Sequence, residues 1–246
     1  MIKHRTLNPV NIGDSFTTNQ GCRVIVVKIN DSKSIDVMFD DEHRHIANVQ
    51  LRNLRSKSVK NPYLPDVFDV GYIGVGKYLS KKNGERTEAY ARWTNMMGVC
   101  YNTHRNPKSA SYMGCFVNPV WHNFQNFAEW YETHPSKGKG YELDKDIIKE
   151  NNREFSPDHC LLVPKEINIL FKKDYTKTSN LPKGVNAVRD RFRASAYGKH
   201  IGYFDTADEA HEAFNKKRKQ MIIKTALEWQ DQLDQRAFDV IMQRMK

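Results

Sequence analysis

Two oxygen-bearing side chains in the second half of the 246-residue chain could bind a metal ion. Asp144 lies in a predicted strand at 141–148, and Asn168 lies in a predicted helix that Pro164 opens. A second strand is predicted at 160–163, so this segment is a β-hairpin followed by a helix. Folding the helix onto the hairpin would bring the carboxylate and the amide oxygen together. Such oxygen ligands suit a hard cation, Mg²⁺ or Mn²⁺.

A second group of residues could bind nucleic acid. Strict alternation from Arg191 to Tyr197 predicts a strand with Phe192 on its apolar face and Arg193 on its polar face. A sheet with one cationic face is suited to lie in the major groove of DNA. The residues that we expect to contact DNA in and around this sheet are Lys183, Arg189, Arg191, Arg193, Tyr197 and Lys199.

The charge of the chain also favours a polyanionic partner. It carries 39 Lys and Arg against 29 Asp and Glu, and residues 183–219 alone hold nine basic and five acidic residues. No segment approaches the roughly 18–20 apolar residues that a membrane span needs. We therefore expect double-stranded DNA as the partner, no membrane contact, and no small-molecule cofactor beyond the metal. The basic N-terminus lacks the apolar core of a secretion signal, which predicts a cytoplasmic location.

The strands and helices that would position these residues indicate an α+β protein of several domains. Residues 1–60 contain short strands, one of which alternates Ile35, Val37 and Phe39, and they predict a small SH3-like β-barrel. Residues 61–87 have the proline and glycine content of a linker.

The central segment, 88–172, begins with two predicted helices that flank the hairpin–helix unit. Trp93, Met97 and Cys100 share one face of the first helix. A second helix is expected after Asn118-Pro119, and its apolar stripe comprises Trp121, Phe124, Phe127, Ala128 and Tyr131.

The C-terminal part predicts a three-stranded sheet plus helix at 173–222, followed by an amphipathic helix at 223–246. Thr206 and Glu209 have the spacing of a capping box at the start of the first of these helices. The last helix could cover a core or mediate pairing with another chain.

The four cysteines, Cys22, Cys100, Cys115 and Cys160, contain no C-x-x-C pair. Reduced, partly buried thiols are the simpler interpretation, and a zinc site built from the last three with a histidine is the alternative. His104, His122 and His134 are each expected to be solvated.

Residues 93–170 resemble the HNH nuclease family (ββα-metal fold) in the form common in tailed phages. The resemblance rests on six motifs in order, namely W-x-x-M at 93–96, CYN at 100–102, W-x-x-F-x-x-F-x-x-W at 121–130, LDKDI at 143–147, SPDHC at 156–160 and VPKEIN at 163–168. It implies a metal-dependent endonuclease with Asp144 and Asn168 as metal ligands. The central Asn of the family, which supports the hairpin, aligns with His159.

The position of the family's general-base histidine is occupied by Lys145. An ammonium group cannot accept a proton from water near neutral pH unless its pKa is strongly lowered. Lys145 could instead hold the phosphate or stabilise charge in the transition state, and His159 could act as the base. The departure also leaves open a catalytically inactive, HNH-derived protein that binds or regulates DNA.

Residues 182–221 resemble the plant-type ethylene-response-factor (APETALA-two) DNA-binding domain. The matching motifs are PKGV, RFRA, GK, IGYFDT and EAHEAF. Phage homing endonucleases often combine this module with an HNH domain. The two resemblances together imply a site-specific, phage-encoded homing endonuclease that hydrolyses phosphodiester bonds.

Overall fold

The computed structural model describes residues 9–102, 112–171 and 180–246, which form a mixed α+β fold with several small sheets. The chain divides into two compact units. One extends to Pro65 and includes Tyr72–Val75, and the other comprises Asp66–Gly71 and Gly76–Lys246. The predicted linker at 61–87 therefore contributes residues to both units.

The first unit is an antiparallel meander with the strand order β1-β2-β3-β4. The inward face of β3 buries Ile35, Val37 and Phe39, which confirms the predicted alternation. The elements are β1 (Ser15–Thr17), β2 (Arg23–Asp31), β3 (Ser34–Phe39), β4 (Ile46–Val49) and the short helix α1 (Leu51–Arg55).

This meander does not close into the predicted SH3-like barrel. Strands β1 and β4 lie at opposite edges, and no pairing within the described residues joins them. Closing a small barrel requires edge strands that can pair with each other along their length. Here β1 has three residues and β4 has four, so the sheet stays open.

The second unit begins with a hairpin and two helices. Asn83 and Gly84 both have positive φ, as a tight two-residue hairpin turn requires. The predicted helical faces are buried except for Cys100, which is half-buried. The indole nitrogen of Trp93 donates a hydrogen bond to the carbonyl of Trp121 (2.7 Å). The elements are β5 (Lys81–Lys82), β6 (Glu85–Arg86), α2 (Glu88–Tyr101), a 3₁₀ turn (Pro119–His122) and α3 (Phe124–Thr133).

The hairpin–helix unit consists of β8 (Glu142–Asp144), β10 (Leu161–Val163) and α4 (Lys165–Phe171). The two strands are antiparallel, and Asp144 pairs with Leu161. The first strand is shorter than the predicted 141–148 because the chain turns immediately after Asp144. Two further short strands, β7 (Phe116–Val117) and β9 (Glu154–Phe155), pair in parallel beside this unit.

A three-stranded antiparallel sheet follows, with α5 packed on one face. Its elements are β11 (Val185–Val188), β12 (Arg191–Ala196), β13 (Lys199–Phe204) and α5 (Ala207–Glu228). The predicted capping box is confirmed, since Thr206 accepts from the backbone N–H of Glu209 and the Glu209 carboxylate accepts from that of Thr206. Val185, Ala194 and Ala210 form the core between sheet and helix.

Residues 223–246 do not form the single predicted helix. Helix α5 continues to Glu228, and a second helix, α6 (Gln235–Arg244), begins after the N-cap residue Asp234. These two helices cover the hairpin–helix unit. The shared core contains Ile147, Leu161, Val163, Ile167, Leu170, Ile222, Ala226, Ala237 and Ile241.

Gly184 provides a test of the packing between the sheet and α5. A Cβ at this position would lie 2.1 Å from the Phe214 ring, and φ is +81°. Gly184→Ala should lower the free energy of unfolding by roughly 3 kcal/mol or more, because ring overlap adds to backbone strain.

Gly198→Ala is the matched control, since φ is +76° but nothing lies within 4 Å of its Cβ position. It should cost about 1 kcal/mol, which is the strain alone. Urea unfolding of both variants measures the difference. Equal losses would contradict the close packing of Gly184 on Phe214.

Candidate active site and nucleic-acid interface

The Asp144 carboxylate is buried at the point where β8 ends, with only 7% of the residue exposed. Its Oδ1 accepts hydrogen bonds from the backbone N–H groups of Asp146 (2.9 Å) and Ile147 (2.7 Å). Within the described part of the chain, Oδ2 accepts no hydrogen bond. Burial raises the pKa of Asp144 to about 6, although the two backbone donors act in the opposite direction. The result is a desolvated carboxylate with backbone donors on one of its two oxygens.

Asn168 lies in α4 and is also buried. Its Nδ2 donates a hydrogen bond to Oε2 of Glu142, which lies two positions before Asp144 in β8. Alternate residues of a strand share a face, so Glu142 and Asp144 face the same side of the hairpin. Asn168 thus packs on the face that carries Asp144, although no direct hydrogen bond joins the two predicted ligands. Glu142 was not predicted as a site residue, although its two-residue spacing from Asp144 could have indicated it.

Lys145 is buried, and its ammonium group is bonded within the protein. Its Nζ donates to Oδ2 of Asp146 (2.9 Å) and to the carbonyl of Asn152 (2.6 Å), and the residue is 5% exposed. Burial lowers the pKa of Lys145, but the hydrogen bond and charge of Asp146 outweigh it, so the pKa lies above its usual value. Lys145 therefore remains a cation and supports the loop after β8. This geometry argues against the predicted roles in binding phosphate or stabilising the transition state.

Asn152 supports the hairpin, a role that the alignment gave to His159. Its Nδ2 donates to the carbonyls of Lys145 (2.9 Å) and Glu154 (2.7 Å). Its Oδ1 accepts from the backbone N–H of Glu154 (3.1 Å). These bonds close the loop between β8 and β9. Asn is a common residue in turns, so residue type alone gave no reason to single out Asn152.

His159 contacts two neighbouring side chains through Nδ1. Its Nδ1 lies 3.1 Å from Oγ of Ser156 and 3.5 Å from Oε2 of Glu154. The other oxygen of Glu154 accepts a hydrogen bond from Asn118 (2.8 Å). A carboxylate beside Nδ1 favours the tautomer that leaves Nε2 free to accept a proton. Nε2 has no hydrogen-bond partner among the described residues.

The zinc alternative finds no support in the described residues. No group of three or more His, Cys, Asp or Glu side chains there could hold a metal ion, and the Asp144–Asn168 pair contributes only one such side chain. Burial raises the pKa of Cys100 to about 12 and also raises that of Cys115 and Cys160, which disfavours thiolates.

The three histidines that were expected to be solvated differ in their surroundings. His134 is buried, and its Nδ1 accepts from the backbone N–H of Ser136 (3.1 Å). His122 contacts the carbonyl of Val117 (3.0 Å). His104 lies outside the described residues.

The three-stranded sheet has an outer face that carries polar and basic side chains. Asn186, Arg193 and Tyr203 form a row across the three strands, and Arg193 is exposed. Arg191 is also exposed but bonds to Asp205 (3.1 Å). The other predicted DNA-contacting residues Lys183, Arg189 and Lys199 are exposed at the ends of the strands or in the turns between them.

Tyr197 does not extend the outer face of β12 as the alternation predicted. The strand ends at Ala196, and Tyr197 begins the turn with a positive φ. Its hydroxyl donates to the carbonyl of Leu170 (3.0 Å), which also accepts from Nη2 of Arg218 (3.3 Å). The last carbonyls of a helix lack partners within the helix. Residues of the turn after β12 and of α5 thus supply hydrogen-bond donors to a carbonyl at the end of α4.

No protein-family model, curated protein or solved structure with which the chain was compared matches it. Among the described residues, no helix is long and apolar enough to cross a membrane.

The burial of Asp144 predicts a cost in stability that can be measured without metal. Its pKa of about 6 exceeds the ordinary value of 3.8, so the folded state loses stability as its carboxyl group ionises. Asp144→Asn keeps an oxygen that can accept from Asp146 and Ile147. In EDTA, its stability relative to the wild type should rise between pH 4 and 6, by up to roughly 3 kcal/mol. Chemical unfolding at pH 4 and pH 8 checks this, and no relative gain at pH 8 would contradict it.

Proposed function

We propose that the chain is a divalent-metal-dependent endonuclease that hydrolyses phosphodiester bonds of double-stranded DNA. The observation that carries this proposal is the buried Asp144 carboxylate, whose Oδ2 accepts no hydrogen bond from the described residues, on the hairpin face against which Asn168 of α4 packs. A desolvated carboxylate beside an amide is stabilised when a hard cation binds. The resemblance to phage HNH proteins supports the same reaction and implies a homing endonuclease.

Asp144 and Asn168 fit Mg²⁺ or Mn²⁺ because their oxygens are hard ligands that leave room for water and phosphate. The cation would supply positive charge that stabilises the phosphate in the transition state. His159 has the role of proton acceptor, since Glu154 and Ser156 engage Nδ1 and leave Nε2 free.

The reaction that follows is hydrolysis by water. The water oxygen attacks phosphorus, its proton passes to Nε2 of His159, and the bond from phosphorus to the leaving 3′-oxygen breaks. The products are a 5′-phosphate and a 3′-hydroxyl, which takes its proton from solvent.

The test is cleavage of plasmid or phage DNA with Mn²⁺ or Mg²⁺. The wild type should cut, and EDTA should prevent cutting. Asp144→Asn should reduce the rate at least about a hundredfold, because a neutral amide binds the cation more weakly and supplies less electrostatic stabilisation. The variant retains the hydrogen-bond acceptor at Oδ1, so equal unfolding behaviour in EDTA at pH 4 verifies its fold. DNA that stays intact across many sequences, although it is bound, would reject the nuclease.

The outer face of the three-stranded sheet is the proposed DNA-binding surface. The exposed Arg193 lies at its centre, between Asn186 and Tyr203 on the neighbouring strands. Basic side chains on this face would select the DNA sequence. Lys183, together with Lys216 and the exposed lysines that follow it on α5, would contact phosphates.

Arg193→Ala should weaken DNA binding and lower the salt dependence, d log K/d log[salt], by about one unit for each phosphate group that the variant no longer neutralises. Arg191→Ala is the control from the same strand face. Its effect should be smaller because Asp205 already neutralises part of its charge. Titrations at several salt concentrations measure both, and an unchanged affinity and slope for Arg193→Ala would contradict the assignment.

A second candidate function is DNA binding without cleavage. The inward-facing Lys145 favours it, since the position of the family's base holds a cation bonded to Asp146 and Asn152. This candidate predicts salt-dependent DNA binding with no cleavage in Mg²⁺ or Mn²⁺.

A further inference from the structure

Glu142 joins the hairpin to the helix of the proposed cation site. It pairs with Val163 across the strands, and it accepts the Nδ2–H of Asn168 on α4. Asp144 lies two residues further along the same strand face. Glu142 is therefore placed to determine how Asn168 presents its side chain.

A side-chain amide has two unlike ends. Its oxygen can bind a cation, whereas its NH₂ group donates hydrogen bonds and cannot. A carboxylate only accepts hydrogen bonds, so Glu142 can pair only with the NH₂ end of Asn168. This pairing fixes the amide against a half-turn that would direct the NH₂ group toward the cation.

We propose that Glu142 is a positioning residue that orients the Asn168 amide so that its oxygen is available to the divalent cation. This inference rests on the proposed function, because it concerns the same cation. It adds a residue that the family motif does not include, and it assigns the role to hydrogen-bond acceptance and not to negative charge.

The first experiment measures Mn²⁺ binding to the full chain without DNA, by electron paramagnetic resonance of free Mn²⁺. Glu142→Ala should weaken binding tenfold or more, the usual effect of losing a partner that orients a metal ligand. Glu142→Gln should stay within about threefold of the wild type, because the Gln oxygen still accepts from Asn168. Glu166→Ala removes an exposed carboxylate from α4 and should leave binding unchanged.

The second experiment exchanges the donor and acceptor. Asn168→Asp alone places two carboxylates in contact and should lower folding stability in EDTA. Adding Glu142→Gln restores a donor–acceptor pair with the original total charge, so the double variant should regain most of that stability. Thermal unfolding of each variant identifies any loss that comes from misfolding.

The outcomes separate this inference from the proposed function. Wild-type binding by Glu142→Ala, or equal losses in Glu142→Gln and Glu142→Ala, would overturn the positioning role while leaving the metal site. A double variant that is no more stable in EDTA than Asn168→Asp would also overturn it. A wild-type chain that binds no Mn²⁺, or binds it equally well as Asp144→Asn, would overturn the metal site itself and the inference with it.

Discussion

A carboxylate buried at the end of a β-strand needs donors, because desolvation otherwise drives it to its neutral form. Asp144 accepts hydrogen bonds from two such donors, the backbone N–H groups of Asp146 and Ile147. These bonds turn the chain out of the strand. The loop that follows must then return to the second strand of the hairpin. Asn152 closes it with hydrogen bonds to both of its sides. The candidate site depends on this arrangement, since the same turn that holds Oδ1 gives Oδ2 no donor from the described residues.

The apolar core beneath the hairpin keeps that turn in place. Ile147 donates its N–H to Asp144 and buries its side chain among residues of α4, α5 and α6. One residue therefore links the carboxylate to the packing of the C-terminal helices. Helix α6 contributes Ala237 and Ile241 to this core. The C-terminal helices thus cover a core, which was one of the two alternatives that the sequence left open.

The sequence predicts those elements whose signal is local. The apolar faces around Trp93 and Phe127 and the Thr206 capping box follow from helical spacing, and the structure confirms them. The open N-terminal sheet was not predictable, because closure depends on strand lengths that turns determine. Tyr197 was misplaced for a similar reason, since alternation continues through a turn in sequence but not in space.

The candidate site shows the same limit. Asp144 and Asn168 were found by residue type and order, whereas Glu142 was not, because its importance comes from a contact between strand and helix. The orientations of the Lys145 and His159 side chains depend on tertiary contacts. Residue type cannot reveal that one ammonium group bonds to a carbonyl or that one imidazole leaves Nε2 open.

The carbonyl of Leu170 receives hydrogen bonds from Tyr197 in the sheet and from Arg218 in α5. Leu170 follows Asn168 by two residues in α4, about half a helical turn. The sheet proposed to bind DNA is thus hydrogen-bonded to the helix that carries a proposed metal ligand. If the proposed nuclease function holds, these contacts would limit how far the cut can lie from the recognised sequence.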